Sequence, residues 1–205
     1  MANQALIEAA SAQPHAKIFI SYRRSDSEDV AGRIYDRLAA HFGKDAIFKD
    51  VDAIPIGVDV RDYINDSLSQ CPVVLAIIGN TWLTVTDSYG NRRLDNPVDW
   101  VRLELEEALR RKGQLIVVPV LVRRATMPAP DALPPTLVNL AYINAAQARP
   151  DPDFHSDMNR LIVQLEQYFG QLDSAPAPGS TATDSPNPTP RKPAATSAPP
   201  SPTVG

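Results

Sequence analysis

The residues with the most chemistry in them gather in one stretch, Leu94 to Leu109. Within it Val101, Leu105, Ala108 and Leu109 fall at i, i+4, i+7 and i+8, the spacing of a buried helical stripe. Trp100, Glu104 and Glu107 fall at i, i+4 and i+7, one residue out of phase. A large aromatic and two carboxylates therefore run along the edge of the buried face. Such an edge is either a solvated flank or the wall of a cleft; in a cleft it sets negative charge beside an aromatic ring. Two further groups could act. Arg23-Arg24 is a guanidinium pair suited to an anion if a ligand-binding loop carries it, and plain surface charge otherwise. Asp50-Val51-Asp52 is an acidic pair without an apparent third ligand, so a solvated turn is expected there rather than a metal site.

The elements that must position these groups follow from pattern. Lys17 to Tyr22 is a short apolar run, a buried strand. Ser25 stands three residues before Glu28, a capping-box pattern, and Val30, Ile34 and Leu38 then stripe a helix that runs to about Phe42 and stops at Gly43. Ala46 to Phe48 is a second strand, and Lys49 to Gly57 a loop. Asp59 can cap a helix striped by Val60, Ile64 and Leu68. Pro72 to Gly79 is almost wholly apolar, as a strand buried on both faces is. A long connection with Trp82, Tyr89 and Gly90 leads to the Trp100 helix. Gln114 to Val122 is another buried strand, Met127 to Pro135 a proline-rich loop, and Leu140 to Ile143 a short last strand. Met158, Leu161, Ile162, Leu165 and Phe169 stripe a final helix ending at Gly170.

Strand and helix alternate five times, which predicts an α/β domain with a parallel sheet covered on both faces. The order 2-1-3-4-5 is expected, with its switch point between strands one and three. The loop Ser21–Arg24 and the connection from Gly79 to the Trp100 helix both end there, so topology brings two arginines and the Trp/Glu edge to one crevice.

Several function classes are excluded or disfavoured. There is no phosphate-binding P-loop, no Gly-x-Gly-x-x-Gly turn and no Gly-x-Ser-x-Gly elbow. His15, His41 and His155 lack metal spacing, and no metal is expected. An aspartate closing strand three, as in phosphoacceptor regulators, is replaced by Gly79 and Asn80. The net charge of −4, with no basic patch interleaved with aromatics, argues against direct nucleic-acid binding. No stretch approaches the roughly 18 apolar residues of a membrane span, and Met1 to His15 lacks the pattern of a secretory signal. The lone Cys71 fits a reducing compartment, so a cytoplasmic protein is expected. Residues 1–15 read as a flexible lead, 16–170 as one domain, and 171–205, which hold nine of the chain's 20 prolines, as a disordered tail.

Three motifs in order carry a resemblance: Ile18-Phe19-Ile20-Ser21-Tyr22-Arg23-Arg24, then Phe48-Lys49-Asp50-Val51-Asp52 with Pro55-Ile56-Gly57, then Asp99-Trp100-Val101-Arg102-Leu103-Glu104. Together they resemble the TIR (Toll/interleukin-1 receptor) domain, in the bacterial form similar to the NAD-cleaving TIR domain of the axon-degeneration protein family. The resemblance spans Ala16 to Gly170. It implies a flavodoxin-like five-stranded fold, and makes residues 49–59 the BB loop, through which such domains contact other TIR domains. Enzymatic members carry Trp-x-x-x-Glu with a catalytic glutamate; by position that is Glu104, whereas Glu106 and Glu107 do not match. Tyr22, Arg23 and Arg24 match positions near the bound dinucleotide, and Asp50, Gly57 and Trp100 complete the implied substrate side. Trp100 either walls the pocket or packs beneath it. The substrate would be NAD+, with no further cofactor, and the products nicotinamide and ADP-ribose or a cyclic isomer, made in signalling or antiphage defence and raised by self-association. The alternative is a non-enzymatic TIR–TIR adaptor or mimic, which would need the loop around Pro55 and Gly57 but not Glu104. A plain nucleotide-binding domain is a third reading.

Overall fold

Five short apolar segments pair side by side in the computed structural model, which describes residues 17–49 and 56–174. In chain order the elements are β1 (Ile18–Ser21), α1 (Arg24–Phe42), β2 (Ile47–Lys49), α2 (Val60–Ser69), β3 (Val73–Ile78), α3 (Trp100–Arg110), β4 (Ile116–Val122), β5 (Ala146–Ala148) and α4 (Phe154–Ser174). All pairings are parallel and the order is β2-β1-β3-β4-β5, as the alternation of elements predicts. The expected lead at 1–15 and the tail beyond Ser174 lie outside the described residues.

Strand alternation divides the core into two layers. Val73, Leu75 and Ile77 of β3 face one side with Ile18, Ile20, Val120 and Val122, where α1 (Ala31, Ile34, Leu38) and α4 (Met158, Leu161, Leu165, Phe169) cover them. Val74, Ala76 and Ile78 face the other side with Phe19, Val117 and Leu121, under α2 (Ile64, Leu68) and α3 (Val101, Leu105, Ala108). The stripes read from the sequence are the buried faces. Among the described residues no helix is long and apolar enough to cross a membrane.

Three expectations need correction. Leu140–Ile143 is not the last strand: Pro135–Tyr142 winds as a 3-10 helix with Leu137 and Leu140 buried on the α3 side, and the strand is Ala146–Ala148, paired with Val120–Val122. Leu137 and Leu140 are three residues apart, the period of that helix, whereas Ala-Gln-Ala carries no apolar signal. The final helix does not stop at Gly170 but continues to Ser174. Ser25 and Glu28 do not cap α1: its N-cap is Arg23, with no side-chain capping bond, and Ser27 (φ −146°, ψ 21°) breaks the first turn. By contrast Asp59 caps α2 as expected, its Oδ1 accepting the Arg61 N–H at 2.8 Å.

Candidate active site

β1 and β3 lie next to each other, yet the chain leaves them toward opposite faces, β1 into α1 and β3 by way of residues 79–99 into α3. A crevice at the carboxyl ends of the two strands is the consequence. α3 starts at Trp100 because Asp99, extended at φ −68° and ψ 128°, accepts the Arg102 N–H at 3.1 Å. Starting there puts Val101, Glu104, Leu105 and Ala108 on the buried side. Glu104 is only 3% exposed, and its Oε2 accepts the Ser21 hydroxyl at 2.6 Å from the last residue of β1. A carboxylate among apolar side chains is costly unless such donors meet it.

A second cross-link joins the residue two after Ser21 to the residue five before Glu104. Arg23, 2% exposed, donates from Nη1 and Nη2 to Asp99 at 2.9 and 2.8 Å. Its guanidinium also lies over the buried Trp82 ring, 5.9 Å from the centroid. Asp99 further accepts from Arg93 Nε at 3.0 Å, so one carboxylate joins the loop after β1, the connection after β3 and the start of α3.

Asp26 closes the crevice from α1. It accepts from the Gly79 N–H (2.9 Å), the Thr81 N–H (2.8 Å) and the Thr81 hydroxyl (2.8 Å). The approach is so close that a Cβ on Gly79 would sit 2.4 Å from Asp26 Oδ2. Gly79→Ala must therefore break this buried set, and we expect it to cost at least about 2 kcal/mol. Urea unfolding measures it; a wild-type midpoint would mean that Asp26 can move aside at no cost.

The other residues expected at the site stand as follows. Tyr22 is buried, with the Lys49 ammonium 5.5 Å from its ring. Arg24 is exposed at the first position of α1. Trp100 is 40% exposed, so it projects from the helix rather than propping the core. Gly57 has φ +88° and lies between the exposed Ile56 and Val58. Asp50, like Asp52 and Pro55, lies outside the described residues. Glu106 pairs with Arg102 at 2.7 Å. Burial works to raise the pKa of Glu107, but hydrogen bonds from Arg110 and Arg111 outweigh it and hold the group below its ordinary value. Burial pushes the Cys71 thiol up to about 12, so it is no nucleophile at neutral pH. Among the described residues no group of three potential metal ligands comes together.

The family model described as "TIR domain" matches residues 18–162 of this chain. The chain belongs to the TIR domain family. A solved structure with the same fold is that of the TIR domains of the activated Roq1 resistosome directly recognizing the pathogen effector XopQ. It is 15% identical, with a TM-score of 0.53 over 73% of this chain and 98% of that one. A comparison with curated proteins finds no match.

In this TIR domain Asp99, present in the third motif without a role of its own, and Asp26 prove to be structural anchors of the crevice. Asp99 had a local signal, an aspartate immediately before a helical stripe, but its pairing with Arg23 crosses 76 residues. Asp26 had none, because its partners, two backbone N–H groups and the Thr81 hydroxyl just past β3, lie more than 50 residues away.

Proposed function

We propose that this TIR domain cleaves NAD+ at the nicotinamide–ribose bond. The observation that carries the reading is the buried Glu104 carboxylate at the switch-point crevice, held by Ser21 on a helix pinned through Asp99. Departure of nicotinamide leaves positive charge on the ribose, as glycoside cleavage does. The leaving group is already cationic in the substrate and departs neutral, so no strong acid is needed. A fixed carboxylate that lowers the energy of the oxocarbenium-like centre supplies the main effect. Water then adds to the ribose carbon and loses a proton, giving ADP-ribose; attack by the substrate's own adenine gives a cyclic isomer instead.

Arg23 serves this chemistry through Asp99, its carboxylate partner, rather than by reaching a dinucleotide. The exposed Arg24 is the arginine for the pyrophosphate. Trp100, one turn before Glu104, walls the crevice. Tyr22 and Gly57, with Asp50, complete the substrate side. NAD+ is the substrate and no further cofactor takes part. A reduced, buried Cys71 suits action in the cytoplasm, in signalling or antiphage defence.

Self-association belongs to the same reading. Ile56 is fully exposed and Val58 nearly half so, apolar side chains on a loop with no partner layer of their own. The solved neighbour's TIR domains are those of an activated resistosome. Purified protein incubated with NAD+ should release free nicotinamide, and the rate should rise faster than linearly with protein concentration. A strictly linear rate would count against activation by association. No nicotinamide at any concentration, with a crowding agent included, would leave the adaptor reading, for which the same exposed loop is the supporting feature.

A further inference from the structure

We infer that Ser21 is the positioning residue for Glu104, fixing the plane of its carboxylate; the inference rests on the proposed reaction. Strand alternation points Ser21 to the same face as Phe19, toward α3, where an apolar side chain is the default. Instead a hydroxyl, 2% exposed, donates to Glu104 Oε2 at 2.6 Å. That length belongs to the O–H···O⁻ range of charge-assisted bonds.

The geometry gives this small group unusual leverage. The terminal torsion of a glutamate is broad and selects no carboxylate plane by itself. Ser21 is the last residue of β1, which is hydrogen-bonded to β2 on one side and β3 on the other, with Ser21 itself in register with Ala76. Its hydroxyl is thus carried by sheet backbone, paired with β3 at Ser21 itself and with β2 through the preceding Ile20. The helix bearing Glu104 is held independently through Arg23 and Asp99. Helix placement and carboxylate orientation therefore have separate supports, and one can be removed without the other. Loss of the hydroxyl leaves the ion pair, the helix cap and the apolar layers untouched.

The test is steady-state NAD+ turnover by the full chain at a concentration where wild type is active. Ser21→Ala should lower kcat by about 10- to 100-fold, the scale of a misplaced reacting group. KM for NAD+ should stay within about 2-fold and the protein should stay folded, with a modest fall in melting temperature because Glu104 loses one donor. Ser21→Thr, which keeps the hydroxyl on a side chain suited to a strand, should restore most of kcat. Wild-type kcat in Ser21→Ala overturns the inference. So does a raised KM at constant kcat, which would make Ser21 a substrate contact, and so does equal loss in the Thr and Ala variants with lowered melting, which would make its role structural. An inactive wild type would instead sink the reaction. For that case the Glu104 carboxyl 13C resonance, assigned with Glu104→Gln, decides the positioning role. It should move in Ser21→Ala and return in Ser21→Thr, and an unmoved resonance overturns the role.

Discussion

Glu104→Gln is expected to abolish nicotinamide release and to leave a folded protein. Glutamine has nearly the same shape, and its amide oxygen can still accept the Ser21 hydroxyl that now reaches Oε2 at 2.6 Å. What disappears is the charge. If that charge stabilises the oxocarbenium-like centre, kcat/KM should fall by at least about 10²–10³, equivalent to about 3–4 kcal/mol of transition-state stabilisation. Stability should move the other way or not at all. Glu104 is a carboxylate in an apolar layer, and a neutral amide is cheaper to bury there. Loss of turnover with an unchanged or raised melting temperature is the expected pair of results, the usual mark of a group kept for function at some cost to stability. NAD+ turnover by Glu104→Gln at the wild-type rate would sink the assignment.

Asp99→Ala should be strongly destabilising. It leaves the Arg23 guanidinium buried without its carboxylate, strands Arg93, and removes the N-cap of α3. Breaking one side of a buried ion pair costs about 3–5 kcal/mol, a large share of the roughly 5–15 kcal/mol that holds a domain folded. Arg23→Met should cost clearly less. Asp99 would keep Arg93 and the Arg102 N–H, and the thioether can still pack on Trp82. The substitution would also remove the buried Arg23 Nε, which has no hydrogen-bond partner. Urea midpoints for the two variants give the order. If Arg23→Met proved the worse, Asp99 would not be the hub of the three segments.

What could be read from residues alone depended on how local the determining interaction is. Strands β3 and β4, apolar throughout, and the helical stripes carry their burial in their own spacing, so the layers and the strand order were legible. The edge of Trp100, Glu104 and Glu107 was legible as a flank of the crevice from spacing and switch-point topology, but choosing Glu104 within it came only from the TIR resemblance. β5 was not: Ala146-Gln147-Ala148 becomes a strand only because Val120–Val122 offers a free edge. The capping box at Ser25 misled because the first turn of α1 answers to a distant demand, the backbone donors of Gly79 and Thr81, which draw in Asp26. The Arg23–Asp99 pair failed for the same reason. Arg23 and Arg24 look equivalent in sequence, and only packing makes one of them a buried strut and the other a surface cation.

The two outer strands carry a consequence for how copies of this chain can meet. Among the described residues β2 and β5 are each three residues long. So short a rim offers few open ladder groups, a poor template for a neighbour's strand. Any meeting of copies is therefore expected to fit loops and helix faces together rather than to knit the sheets into one continuous ribbon.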